Sequence, residues 1–90
     1  MSERIFDHLL DTLQRHRQRA TEGAVAEFVG RAAHELLIGR PRDARHSFIV
    51  NRVTFLPSGF RREDWHPELR AKPIVLQTLE QLDDWLRNPS

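Results

Sequence analysis

Five histidines, thirteen carboxylates and fourteen cations are the side chains of this chain that could do chemistry, and no cysteine joins them. Without a thiol there is no disulfide, no thiolate nucleophile and no Cys-ligated zinc or iron–sulfur site. His8 and His16 lie eight apart on one predicted helix, and His34, His46 and His66 lack ligand spacing, so neither a metal nor a cofactor is expected. Asp64-Trp65-His66 sets a carboxylate beside an imidazole, as acid–base catalysis needs, yet a base also needs a pocket and a reacting partner. The plain reading of that run is a solvated loop. The four glycines, at 23, 30, 39 and 59, are scattered and make no phosphate cradle. Ser58-Gly59 lacks the strand–turn–helix context of a nucleophile elbow. The chain therefore reads as a non-enzyme. The enzyme alternative is a small site of histidines and acids around His46 or His66.

Arginine supplies thirteen of the fourteen cations, and its planar guanidinium suits carboxylate and phosphate alike. Arg15, Arg17 and Arg19 cluster at the end of the first predicted helix, and Arg40, Arg42 and Arg45 after the second. With Arg52, the residues Arg40, Arg42 and Arg45 are the candidate nucleic-acid contacts: a helix over 42–56 following Gly39 would complete a helix-turn-helix. Against this, arginines at helix ends also serve the carbonyl dipoles and nearby acids. A second constellation is Phe60, Arg61, Arg62 and Trp65, set among Glu63, Asp64 and Glu68. Aromatic anchors rimmed by arginine are common at protein contacts, so these four are the candidate partner-binding residues. The alternative is that both rings fold back over the core.

The elements that must position these residues follow from periodicity. Ile5, Phe6, Leu9, Leu10, Leu13 and Ala20 predict a first helix over 3–20, with Ser2 as N-cap. Thr21-Glu22-Gly23 breaks that pattern. Val25, Phe28, Val29, Ala32, Ala33, Leu36 and Leu37 then predict a second helix, stopped by Gly39 and Pro41. Ala24, Ala26 and Ile38 widen its apolar stripe, and either a homodimer or a groove on a larger partner would bury the excess. Residues 42–56 are ambiguous. Phe48, Ile49, Val50 and Val53 have strand propensity, while Ala44, Phe48, Ile49, Val53 and Leu56 keep helical spacing. Helix is favoured because a strand needs a hydrogen-bonding partner and none is evident. Residues 57–72 predict a polar loop, and 74–87 a last helix with Val75, Leu76, Leu79, Leu82 and Leu86 inward.

The expected fold is thus mainly α, a single domain over 1–90 built as a bundle of about four helices. The alternative is α+β, with a short hairpin or an intersubunit strand at 46–56. The formal charge is only +1, with eight basic and seven acidic residues in 1–45 and six of each in 46–90. Neither half is a polycation. Apolar runs are too short for a membrane span or a signal peptide, which predicts a cytoplasmic protein. By elimination the expected function is a non-catalytic protein-binding module, acting as an adaptor, inhibitor, assembly factor or regulatory subunit of a larger system. A DNA-binding regulator of helix-turn-helix type is the alternative.

Overall fold

The structure is a computed structural model and describes residues 3–90. It contains three helices, α1 (Glu3–His16), α2 (Glu22–Val29) and α3 (Leu79–Arg87). Between them run three short strands, β1 (Arg19–Thr21), β2 (Ile49–Val50) and β3 (Val75–Leu76). The strands pair in the order β2-β1-β3, parallel throughout, with Ala20 opposite both Ile49 and Leu76. This α+β architecture overturns the bundle of about four helices. The α+β alternative placed a strand in the right segment, but Ile49–Val50 pairs with β1 of its own chain rather than in a hairpin or across a dimer.

Each correction has a local cause. α1 buries Phe6, Leu9, Leu10 and Leu13 as predicted, but it ends at His16 because Arg17 turns left-handed at φ 55°. The N–H of Gln18 then reaches back to the Leu13 carbonyl at 2.9 Å, a helix stop usually made with glycine. The chain is thereby freed to form β1 two residues later. The expected Ser2 cap lies outside the described residues.

Thr21-Glu22-Gly23 starts a helix instead of merely breaking one. The Thr21 hydroxyl accepts from the Ala24 N–H, capping α2. Gly30, at φ 75°, ends α2 nine residues before Gly39. Leu36 and Leu37 are buried as the stripe requires, but they follow a 3-10 turn at Ala33–Glu35 rather than a continuing helix. Ala24 and Ala26 are buried in the chain's own core, whereas Ile38 is exposed, as are Ala32 and Ala33 of the same predicted stripe.

Residues 42–56 form no helix. A 3-10 turn at His46–Phe48 runs straight into β2, and Asn51 then nucleates a tight loop. The last segment divides likewise. Val75–Leu76 is β3, and Thr78 caps α3 by accepting from the Gln81 N–H. All seven strand residues are buried, as expected of a parallel sheet covered by other elements. α2 packs on β1, β2 and α3, while α1 packs on the 3-10 turn at 46–48. Leading through α2, β1 is followed by β2 on one side. The chain then returns past β1 to place β3 on the other.

Candidate functional site

The four arginines proposed for nucleic-acid contact have three different fates. Arg40 lies over the Phe6 ring at 4.2 Å and pairs with Glu3 and with Asp7, the latter at 2.9 Å. Arg45 pairs with Asp11 at 3.1 Å and with Asp7 at 3.4 Å. Glu3, Asp7 and Asp11 stand four residues apart on α1, so one face of that helix is an acidic stripe. Arg31 joins Arg40 on Glu3. Hydrogen bonds from Arg31 and Arg40 hold the Glu3 carboxyl below its ordinary value, and Arg40 does the same to Asp7. Arg40 and Arg45 therefore dock the 40–48 segment onto α1. Arg42 donates to the carbonyls of Leu37 and Arg40 and lies 5.9 Å from the Phe60 ring. Arg52 is exposed, on the loop after β2. The recognition helix that would have presented these groups to DNA is absent.

His46 is buried at 2% exposure beside the same network, a position its sequence spacing did not reveal. Its Nδ1 lies 2.7 Å from Asp43 Oδ1 and its Nε2 3.3 Å from an Arg40 Nη. A guanidinium only donates, so Nε2 accepts and Nδ1 carries the proton toward Asp43. Both ring nitrogens are thus engaged within the fold, which leaves none for a substrate. Asp64 turns to Arg61, Nε to Oδ2 at 3.0 Å, while His66 Nδ1 accepts from the Glu68 N–H at 2.9 Å. Those two side chains of the Asp-Trp-His run serve different partners. Among the described residues no three His, Asp or Glu side chains are grouped as a metal site requires.

Of the four candidate partner-binding residues, the fold brings Arg62 and Trp65 together. Phe60 and Trp65 are both half-buried and pack against the core, so each ring does fold back. Phe60 lies with Arg42 away from the Trp65 cleft, and Arg61 is held by Glu63 and Asp64. A 3-10 turn at Arg62–Asp64 sets the Arg62 guanidinium 5.4 Å from the centre of the Trp65 ring. Arg70, which sequence reasoning passed over, approaches the same ring to 5.9 Å. Both distances are within cation–π range. Neither arginine pairs with a carboxylate among the described residues.

These groups line a cleft of about 490 Å³ together with His66, Glu68 and Leu69. Its floor is fixed from below. Leu69 is buried in the core, the Ser47 hydroxyl accepts from the His66 N–H at 3.0 Å, and the Phe48 and His66 rings touch at 5.1 Å between centres. The Glu68 carboxylate is paired with Arg17, at 3.0 Å. The Trp65 Nε1–H is enclosed and has no acceptor. Burial, with the Arg17 charge nearby, pushes the His66 imidazole below its ordinary value, which adds no positive charge at neutral pH.

No protein family, curated protein or solved structure matches this chain. Its function must be argued from this geometry.

Proposed function

We propose that the chain is a non-catalytic protein-binding module whose Trp65 cleft receives an acidic segment of a larger protein partner. The observation that carries this reading is the pair of guanidiniums, Arg62 and Arg70, facing one half-buried indole with no carboxylate of their own. In this chain Arg17, Arg31, Arg40, Arg45, Arg61 and Arg87 all pair with acids. Two arginines converging on a ring without one leave a place for an external carboxylate, which guanidinium binds in a planar fork. A tryptophan seated on the core supplies contact area at little entropic cost, as interface anchors do. The module would act in the cytoplasm as an adaptor, inhibitor or regulatory subunit. No helix among the described residues is long and apolar enough to cross a membrane.

Capture from a lysate of the source organism by the tagged chain, with and without nuclease, tests the reading. A stoichiometric protein should be retained by the unaltered chain and lost by Trp65→Ala and by the double charge reversal R62E/R70E, with helical circular dichroism unchanged. Equal retention by both variants contradicts the cleft. Recovery that disappears with nuclease favours nucleic acid instead.

A further inference from the structure

The three strands end together, and a crevice of about 560 Å³ opens at their carboxyl ends. Thr21 closes β1, Asn51 follows β2 and Gln77 follows β3, and all three line it. In an open parallel sheet this edge, beyond the carboxyl ends of the strands, is where ligands bind. The volume suits a small molecule.

The walls are built to keep their shape. Asn51 Oδ1 accepts from the N–H groups of Val53 and Thr54 at 2.9 and 2.8 Å, while its Nδ2 donates to the Leu56 carbonyl at 3.0 Å. Those bonds fix the loop that carries Arg52. Thr21 ties β1 to the Gln77 carbonyl at 3.4 Å, and Gln81 accepts from the Gln77 N–H at 2.7 Å. On the α2 side, a Cβ added to Gly23 would meet nothing within 4 Å, so the backbone there is open to the crevice.

Charges of both signs face this space without meeting. Glu22, Glu27 and Arg52 line it, yet none has an ion-pair or hydrogen-bond partner for its side chain among the described residues. Six of the thirteen arginines pair with carboxylates among the described residues; Arg52 shares a crevice with two and pairs with neither, which marks a gap between opposite charges. We propose that this crevice is a second binding site, for a small zwitterion of the α-amino-acid class, with its ammonium toward Glu22 and Glu27 and its carboxylate toward Arg52. The ligand bridges the charges that the fold holds apart, and the locked loop means little order is lost on binding. This site is independent of the Trp65 cleft.

The test is a ¹⁵N–¹H titration of the full chain with glycine, L-leucine, L-glutamine and L-arginine, and with acetate and ethylamine as the two half-ligands. At least one amino acid should shift the Gly23, Arg52 and Gln77 amides saturably, and each half-ligand should bind at least about tenfold more weakly. Glu27→Gln and Arg52→Gln should each weaken that amino acid by about tenfold, while Trp65→Ala leaves it unchanged. Absence of saturable shifts with all four amino acids overturns the proposal. So does a half-ligand that binds as well as the zwitterion, or an affinity that survives both charge-removing variants with their circular dichroism intact.

Discussion

Arg19 shows how much one side chain can organise in so small a chain. It sits in the central strand at 8% exposure, and its guanidinium donates to the carbonyls of Phe55 at 3.0 Å and Lys72 at 2.9 Å. It thereby stitches the two long loops to the sheet. Burial, and then the nearby Arg70 charge, lower its affinity for the proton. No carboxylate compensates, so part of what these bonds contribute is offset by desolvation. Arg19→Met, which keeps the stem and removes both donors, should destabilise the chain by about 2 kcal/mol in urea unfolding. An unchanged midpoint would mean that the loops hold themselves. His66 makes a different prediction. Its folded imidazole lies below its ordinary value of 6.5, so below pH 6.5 the unfolded chain binds the proton more readily. Stability from this group is present above that pH and is lost as pH falls through 6.5 toward the folded value. Unfolding midpoints measured between about pH 7 and 5 should flatten in His66→Gln, and an identical slope in both proteins would refute the assignment. An acidic partner segment in the cleft should raise the His66 value, because it adds negative charge where Arg17 now repels the proton.

At the scale of elements, the stops decide the fold. Gly30 holds φ 75° at the end of α2, and both its own N–H and that of Arg31 bond to the Ala26 carbonyl. Gly30→Ala should cost about 1 kcal/mol, read as a lower thermal midpoint, because alanine is strained in that left-handed conformation. A neutral effect would show that α2 is not ended there. These stops explain what the sequence made legible. The burial of Phe6, Leu9, Leu10 and Leu13 in α1, and of Leu36, Leu37, Phe48, Ile49 and Leu82, follows from periodicity and holds whichever element carries them, although Ile5 of the same stripe is exposed. The sheet did not follow. A strand of three residues buried on both faces shows no alternation, and Arg19–Thr21 sits directly behind a helix stopped by Arg17, not by glycine or proline. With β1 hidden, Ile49–Val50 had no visible partner and helical spacing won by default. The Thr78-x-x-Gln81 cap did mark the start of α3, but the apolar run from Ile74 masked it. For the site, Arg62 and Trp65 were legible as an aromatic–arginine cluster. Arg70 was not, because only the fold of 65–70 returns it to the same ring.

Taken whole, the molecule sorts its charges. The acidic stripe of α1 absorbs Arg31, Arg40 and Arg45, so much of the arginine excess that suggested nucleic acid is spent within the fold. What stays without carboxylate partners includes the Arg62 and Arg70 guanidiniums at the Trp65 cleft and the separated charges of the strand-end crevice. The net charge of +1 gives no strong long-range field, and recognition here rests on local pairing. Binding through two guanidiniums should weaken only modestly with salt, unlike the steep dependence of a phosphate-neutralising surface. The most direct measurement is the ¹⁵N–¹H spectrum of the chain alone and with the partner captured on it, read at the two indole resonances. Trp65 Nε1–H, enclosed without an acceptor beside the guanidiniums, should shift saturably, while Trp85, which packs edge-on to His16 at 5.6 Å on another part of the core, should hold still. A partner that binds and leaves the Trp65 indole unmoved would contradict the account.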